Sequence, residues 1–228
     1  MHAMDDETDM RRFGGLVRIM PITFVTFGFG YLALSGVPPF SGFFSKDGII
    51  EAALASGGAR GLLLFGVTVL GAGITAFYMT RVMALTFFGE RRWRTGEQAP
   101  HPHESPATMT WPMVLLAAGS LGVGGALAVG GTMRDWLAPI VGAPEHHEPP
   151  LPAAAVSVIV LIVVAAGVAV AWAQYGRRPV PQTPPEQVGP LTVAARADLY
   201  GDAVNERLLE APGRLAVRGL TVLEDDGL

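Results

Sequence analysis

The sequence predicts an all-α membrane protein with four transmembrane crossings, the first of them a discontinuous helix, followed by an amphipathic lateral helix. Half of the 228 residues are hydrophobic and only 16% are charged, whereas a soluble domain carries about 25% charged residues. The apolar residues form runs long enough for the roughly 20 residues of a spanning helix. Residues 195–228 instead mix apolar side chains at helical spacing with charges, which is typical of an amphipathic helix.

The predicted spans all lie within residues 1–178, and a proline-rich linker over residues 179–194 separates them from the lateral helix. In the third span, Ala118, Gly122 and Ala126 form a small-xxx-small face that favours close helix contact. Residues 132–152 are predicted to form a loop. The four spans cover about residues 19–54 (broken), 61–88, 111–131 and 153–175.

The break in the first span is predicted from two adjacent prolines, Pro38 and Pro39, flanked by Gly36 and Gly42. Proline has no backbone N–H and a fixed φ, so a continuous helix cannot pass through this stretch. Irregular backbone persists within a bilayer only where it faces protein or a water-filled cavity. We therefore expect an interruption between Ser35 and Gly42, with the freed carbonyls facing other helices or water.

Lys46 follows the break and is the single lysine of the chain, beside 15 arginines. An ionisable residue within a span is a functional candidate by default, because a charge in lipid is costly. A structural alternative is that Lys46 extends to the interface or only neutralises Asp47. We predict that Lys46 exchanges protons and that Asp47 is its charge partner, since burial and a nearby carboxylate act oppositely on an amine's affinity for its proton.

Three further residues are secondary candidates. Glu51 lies one helical turn from Asp47 on the same face, and we expect it to be solvated. Arg81 lies about two turns from the end of its span and is predicted to extend to the membrane interface. Tyr78 can form hydrogen bonds along the same helix.

Several other kinds of site are not predicted. The chain has no cysteine, which excludes disulfides, thiolate metal sites and iron–sulfur ligands. The histidine pairs His101/His103 and His146/His147 lie in loops without acidic partners at ligand spacing, so we predict no metal site and no cofactor site in this chain. Phosphate and dinucleotide fingerprints are lacking, and the basic residues are too scattered for nucleic acid.

The arginines predict the orientation in the membrane. If the first span crosses once, eight arginines in the connecting segments share one side and only Arg60 and Arg134 lie opposite. The positive-inside rule then favours one crossing by two half-helices, with the basic loops and the C-terminal helix cytoplasmic. The eight are Arg11, Arg12, Arg18, Arg91, Arg92, Arg94, Arg177 and Arg178.

Residues 36–47, from Gly36 to Asp47, resemble the subunit L family of bacterial NADH:quinone oxidoreductase (respiratory complex I), its distal antiporter-like membrane subunits. Residues 2–4 and 7–16, ahead of the break, carry the same resemblance. The similarity is specific over residues 1–54. It continues loosely through Tyr78, Arg81 and residues 87–89 to residues 198–200, and residues 90–190 match in layout only.

The resemblance implies that residues 19–54 are the second of the family's two broken helices and that Lys46 belongs to its outlet-side half-channel, with Asp47 as acidic neighbour. A lateral helix would begin near Ala195. The family's first broken helix, glutamate–lysine pair and central lysine would precede Met1, and its last span would follow Leu228. The chain is therefore expected to be a C-terminal portion.

The resemblance also implies a membrane subunit of a proton-translocating NADH:quinone oxidoreductase, a translocase of electron transport and oxidative phosphorylation. The chain itself would carry no redox chemistry, because NADH, flavin, iron–sulfur clusters and quinone would bind partner subunits. Its partners would be other membrane and peripheral subunits and the lipid of the bacterial inner (plasma) membrane, with no nucleic acid. The alternatives are the large subunit of a multi-subunit cation/proton antiporter and a non-conducting structural membrane module.

Overall fold

The computed structural model describes residues 4–5, 7–93, 101–141, 150–177, 183 and 188–227. Every regular element in these ranges is a helix, which confirms the predicted all-α class. The chain divides into two compact units, Met1–Gln182 and Thr183–Leu228. Within the described ranges, three helices are long and apolar enough to cross a membrane, Gly58–Thr86, Ala107–Gly131 and Ala153–Gly176, and Pro21–Ser35 is a shorter apolar helix. The total of four crossings stays a prediction.

The first span is built from two helices, α1 (Pro21–Ser35) and α2 (Ser41–Ala55). Pro21 stands in the first turn of α1, where its missing N–H would be unpaired in any case. Gly36 ends α1 in the left-handed conformation, with φ of 77°, and its N–H donates to Ala33 and Leu32. That conformation favours glycine. The chain then turns through Pro38 and Pro39 before α2 begins.

Helix α3 (Gly58–Thr86) runs back alongside both halves. Only Ser56 and Gly57 separate α2 from α3. At the other end, the N–H of Val17 donates to the carbonyl of Phe87 at 3.3 Å, so the start of α1 lies beside the end of α3. The 29 residues of α3 make a rod of about 43 Å. The two half-helices therefore travel the length of α3 in the opposite direction, which is the geometry of one interrupted crossing.

An N-terminal segment closes this end of the molecule. The guanidinium of Arg92 donates to the carbonyls of Arg11 at 2.9 Å and Leu85 at 2.6 Å. Gly14 has φ of 118°, and a Cβ there would lie 2.1 Å from the carbonyl oxygen of Glu90. Only glycine fits, because the backbone conformation and the close approach both exclude a side chain.

Helix α4 (Ala107–Ala128) is tied to the start of α1 by a carboxylate. Glu104 Oε2 accepts from the N–H of Ile22 at 2.8 Å, and Oε1 accepts from the Thr23 hydroxyl at 2.6 Å. A carboxylate at a helix N-terminus pairs free N–H groups and meets the positive end of the helix dipole. Glu104 therefore caps α1 from another part of the chain.

The face of α4 that meets the break is not the predicted one. Ala118, Gly122 and Ala126 are exposed, and a Cβ on Gly122 would meet nothing within 4 Å. Instead, a Cβ on Gly124 would lie 2.3 Å from Ser41 Cα, and the Gly124 N–H donates to Ser41 Oγ at 3.0 Å. The prediction was wrong because α4 carries small residues on several faces, and only the position of Ser41 selects one.

Residues 132–141 form a helix, α5 (Thr132–Val141), where the sequence predicted a loop. A short 3-10 turn, Val129–Gly131, separates it from α4. Met133, Trp136 and Ile140 recur at spacings of three and four, which is helical periodicity. Pro139 stands inside this helix.

Helix α6 (Ala153–Ala171) is the main partner of α3 and continues into a wide π turn, Trp172–Gly176. The two backbones nearly touch: a Cβ on Gly167 would lie 2.5 Å from the carbonyl oxygen of Gly73. The Trp172 and Phe88 rings lie 5.3 Å apart, so α6 ends where α3 ends. Their contact belongs to an apolar core of buried residues: Ile50, Leu54, Val69, Ala72, Ala76, Val156, Val160 and Val164.

The second unit is helical and interrupted. It contains α7 (Pro190–Arg196), α8 (Gly201–Asn205) and α9 (Ala211–Gly227). Asp198, Leu199 and Tyr200 all have positive φ, so the helix expected from residue 195 is broken before Gly201. From Gly201 the chain is helical to Gly227, with a π turn over Glu206–Glu210 just before Pro212 and Gly213.

Candidate functional site

Lys46 is bound to the carbonyl that the prolines leave free. In a helix, the N–H of residue i donates to the carbonyl of residue i−4, and Pro38 has no N–H to give to Leu34. The Nζ of Lys46 takes that place and donates to the Leu34 carbonyl oxygen at 2.5 Å. The break and the lysine are therefore one structural unit, in which the side chain completes the backbone that the break opens.

Two glycines allow this approach. A Cβ on Gly42 would lie 1.7 Å from the Ala33 carbonyl oxygen, so the first turn of α2 lies directly against the last turn of α1. A Cβ on Gly36 would lie 3.3 Å from Cδ of Lys46. A side chain at either position would push α2 or the lysine stem away from the end of α1.

Asp47 has a different partner from Lys46. Its side chain is buried, with the residue 7% exposed, and its Oδ2 accepts a hydrogen bond from the Ser157 hydroxyl of α6. The predicted Lys46–Asp47 ion pair is not among the ion pairs of the described residues. Successive residues of a helix diverge, and the Asp47 carboxylate is bound to Ser157 instead of Lys46.

A cavity of about 270 Å³ opens beside Lys46, between α2 and α3. Its wall is largely apolar, with the hydroxyls of Thr68 and Thr75 as its other polar side chains. Each hydroxyl donates to its own helix at 2.8 Å, to Leu64 and Gly71 respectively, which leaves oxygen lone pairs to accept from water. The volume is enough for several water molecules. The lining residues are Lys46, Ile49, Ile50, Thr68, Gly71, Ala72 and Thr75.

The secondary candidates lie elsewhere. Glu51, Tyr78 and Arg81 do not line this cavity, and Tyr78 is 43% exposed. Arg81 packs its guanidinium over the Tyr175 ring at 5.3 Å. Its Nε is buried without a hydrogen-bond partner among the described residues. Cation–π packing thus holds the Arg81 guanidinium against Tyr175, and its extension to the membrane interface stays a prediction.

A polar link between α1 and α3 was not anticipated. The Tyr31 hydroxyl lies 3.0 Å from Thr80 Oγ1, and Thr80 uses its own proton to donate to the Ala76 carbonyl at 2.6 Å. Tyr31 is therefore the donor to Thr80. Threonine back-bonding is common in spans, but here it also provides an acceptor for the neighbouring helix.

Within the ranges that the structure describes, no group of three or more histidine, cysteine, aspartate or glutamate residues could hold a metal ion. His146 and His147 lie outside those ranges, as do Arg94 and Arg178. His103 Nδ1 lies 3.0 Å from the backbone carbonyl of His101.

Two contacts at the site could have been found by closer attention to the sequence. Pro38 stands four residues after Leu34, so the freed carbonyl can be named without coordinates. Ser157 is the single side chain of α6 with a hydrogen-bonding group, in a helix of otherwise alanine, valine, isoleucine, leucine and glycine. A lone hydroxyl in such a helix points to a polar partner on a neighbouring element.

Comparisons with known proteins point to the same family that the sequence resembles. A family model described as "NADH:quinone oxidoreductase/Mrp antiporter, TM" matches residues 1–75, which include the break and Lys46. NADH-quinone oxidoreductase subunit L of Mycobacterium tuberculosis is 57% identical over 228 residues, all of this chain and 36% of the relative. The same-named subunit of Rhodobacter capsulatus is 44% identical over 132 residues, 53% of this chain and 18% of the relative.

A eukaryotic protein shows the same similarity at lower identity. NADH-ubiquinone oxidoreductase chain 5 of Phytophthora infestans is 41% identical over 124 residues, 54% of this chain and 18% of that protein. The chain therefore spans about a third of the length of its most extensively matched relatives.

Proposed function

This chain belongs to the family of antiporter-like membrane subunits that includes NADH-quinone oxidoreductase subunit L, and we propose on that premise that it forms part of a proton-translocation half-channel. Lys46 is the residue that takes up and releases the proton. The redox reaction that drives it takes place in other subunits, and this chain contributes the membrane path.

The observation that carries the proposal is the bond between Lys46 Nζ and the Leu34 carbonyl. A carboxylate partner would hold the amine in its charged form, whereas a carbonyl offers a dipole and no net charge. An amine bound in this way can release its proton without leaving an unpaired anion behind. A lysine that cycles between two protonation states needs a partner of this kind.

The cavity beside Lys46 supports the same role. It provides room for water next to an amine that lies within a span, and ionisable groups inside membranes face such cavities or the bundle interior. Asp47 follows Lys46 in the sequence and is a second ionisable residue close to the proposed proton path.

The remaining parts of the proposal concern the assembly. The partners are other membrane and peripheral subunits of an NADH:quinone oxidoreductase, which bind NADH, flavin, iron–sulfur clusters and quinone, while this chain holds none of them. The membrane is the bacterial plasma membrane, and the arginine-bearing loops and the C-terminal helix are cytoplasmic. The names of the relatives support this assignment.

One observation favours a second candidate function. The matching family model covers Mrp antiporters as well as NADH:quinone oxidoreductases, so the large subunit of a multi-subunit cation/proton antiporter is the alternative. Similarity over the whole chain to a subunit L favours the redox-driven pump. A non-conducting structural module is the remaining alternative, because the bond from Lys46 to the Leu34 carbonyl would serve such a module too.

The test is the substitution Lys46→Ala in the full-length subunit within the assembled complex. Electron transfer from NADH to a soluble artificial acceptor should stay at the wild-type level, because this chain carries no redox group. Protons moved per electron pair, measured in inverted membrane vesicles, should fall. Lys46→Arg should restore little, because guanidinium does not release its proton in proteins.

Ser45→Ala is the matched control, since Ser45 is the exposed neighbour of Lys46 and makes only a 3.4 Å contact with its own helix. This variant should pump normally. A normal proton-to-electron ratio in Lys46→Ala, with assembly verified, would show that Lys46 is structural. Exchange driven by a sodium gradient, without NADH, would support the antiporter instead.

A further inference from the structure

The Ser157 hydroxyl leaves its own helix to reach Asp47. Serine inside a helix commonly returns its hydrogen bond to a carbonyl of the preceding turn. Ser157 donates to Asp47 Oδ2 on α2 instead. Among the described residues, this hydrogen bond links the side chains of α2 and α6. The other buried residues where the two helices meet are apolar.

Asp47 has little else to stabilise its charge. Asp47 is 7% exposed, on a helix whose contact with α6 includes the buried apolar residues Ile50 and Val156. A buried ion is costly unless it is paired or hydrogen-bonded. The helices packed against α2 are α1, α3, α4 and α6. Their ionisable groups in the described ranges are Tyr31, Arg60, Tyr78 and Arg81, and none of them bonds to Asp47 in that part of the chain.

The position of the contact along the bundle is informative. Ser157 lies in the second turn of α6, at the end of that helix opposite Trp172 and Phe88. Asp47 lies in the half-helix that runs from the break toward Ser56. The arginine-rich segment begins at the ends of α3 and α6. The Ser157–Asp47 contact therefore lies on the opposite side of the break from that segment.

We propose that Ser157 is a positioning residue for Asp47: its hydroxyl holds the carboxylate against α6, away from Lys46, on the side opposite the arginine-rich loops. The inference rests on the proposed proton path through Lys46. With Asp47 held by α6, the amine of Lys46 keeps the neutral Leu34 carbonyl as partner and stays free to exchange its proton.

The experiment uses the assembled complex in membranes with Ser157→Ala and Ser157→Thr, and with Ser120→Ala as control. Ser120 lies on α4, and its side chain makes no hydrogen bond in the described part of the chain. The first measurement is labelling of Asp47 by a membrane-soluble carbodiimide, quantified by peptide mass spectrometry. This reagent reacts with protonated carboxyl groups. The second measurement is the number of protons moved per electron pair.

Ser157→Ala should label Asp47 several-fold faster than wild type, because the carboxyl group is no longer held against α6. Its proton-to-electron ratio should fall. Ser157→Thr keeps the hydroxyl and should match the wild type in both measurements, as should Ser120→Ala. A packing role would instead make threonine the more disruptive change, because threonine adds a methyl group and alanine does not.

Wild-type labelling in Ser157→Ala would overturn the inference, and so would a Ser157→Thr variant that behaves like Ser157→Ala. The proposed function is judged separately by Lys46→Ala. Loss of pumping in Lys46→Ala together with wild-type labelling in Ser157→Ala would contradict only the positioning role of Ser157. Faster labelling in Ser157→Ala with normal pumping in Lys46→Ala removes the path through Lys46 and leaves the Ser157–Asp47 contact in place.

Discussion

At the break, neighbouring backbone atoms leave no space for a larger residue. Gly42 lies against the Ala33 carbonyl, and Lys46 reaches past Gly36 to Leu34. An unpaired carbonyl in an apolar setting is destabilising, so the bond from Lys46 stabilises the interrupted backbone. The close packing at Gly42 and Gly36 predicts that the break is more sensitive to added volume than the rest of α2.

Gly42→Ala should therefore destabilise the protein by about 1–3 kcal/mol, because the new methyl group would overlap the Ala33 carbonyl and force the half-helices apart. The matched control is Gly48→Ala in the same helix, where a Cβ meets nothing within 4 Å. That change should be neutral or stabilising by up to about 1 kcal/mol, as alanine favours helix. Thermal unfolding of the detergent-solubilised full-length subunit measures both. Equal melting temperatures for the two variants would contradict the prediction.

Glu104 gives a pH-dependent prediction. Burial raises the pKa of Glu104, but hydrogen bonds from the Thr23 hydroxyl and from three backbone N–H groups lower it more, and the net pKa lies below the ordinary value of 4.5. A carboxyl group with a lowered folded-state pKa stabilises the fold above its unfolded-state pKa. That stabilisation is lost as the pH falls through the folded-state value.

Glu104→Ala should destabilise the protein by about 1 kcal/mol at pH 7, a modest value because water screens this partly exposed carboxylate. The difference from wild type should shrink as the pH is lowered past 4.5. Melting temperatures at a series of pH values measure it. Asp135→Ala, which removes an exposed carboxylate from α5, should leave the melting temperature nearly unchanged at each pH. A constant difference for Glu104→Ala across the series would show that the cap does not depend on its charge.

At the scale of helices, the closest approach is that of α3 and α6 through Gly73 and Gly167. Helices in membranes associate by close packing of small residues, because lipid offers no hydrophobic gain for their contact. The Ser157–Asp47 bond depends on this approach, since it links α6 to the helix beside α3.

Gly167→Ala should lower stability by about 1–3 kcal/mol, because its Cβ would meet backbone atoms that cannot rotate away. Gly66→Ala on α3 is the control, as its Cβ would lie in open space. We expect Gly167→Ala, but not Gly66→Ala, to lower the melting temperature of the solubilised subunit. Similar values for the two would mean that α3 and α6 can separate without cost.

The sequence was most informative where a residue has one physical consequence. Two prolines stop a helix, and a lysine in an apolar span needs a partner, so the break and the position of Lys46 could be predicted. The partner itself was assigned to Asp47 by adjacency, although adjacent helical residues diverge. The contact face of α4 could not be predicted, because small residues occur on several faces. The helix α5 was missed, although Met133, Trp136 and Ile140 recur at helical spacing.

For the whole molecule, the α1–α2 pair and α3 run antiparallel, and this determines which loops lie on the same side of the membrane. The segment ending at Glu104 meets the start of α1, whereas α6 starts at the opposite end of the bundle from Phe88. The eight-to-two distribution of arginines predicts that the first of these sides is cytoplasmic.

Single cysteines test this orientation, since the natural chain has none. His101→Cys and Pro150→Cys replace exposed residues at the two ends of the bundle. A membrane-impermeant thiol reagent added to cells with a permeabilised outer membrane should label Pro150→Cys. It should label His101→Cys only after the plasma membrane is also disrupted. The reverse pattern would invert the topology.

The interruption of the first span also has an electrical meaning. Each half-helix has 15 residues, so in the predicted single crossing the amine of Lys46 lies near the midpoint of the membrane voltage. Moving one charge across the whole membrane is worth roughly 2.3 kcal/mol per 100 mV, and reaching the midpoint is worth roughly half of that. In the proposed path, an energised membrane therefore opposes the loading of Lys46 and its discharge about equally, and divides the work against the proton-motive force into two smaller steps.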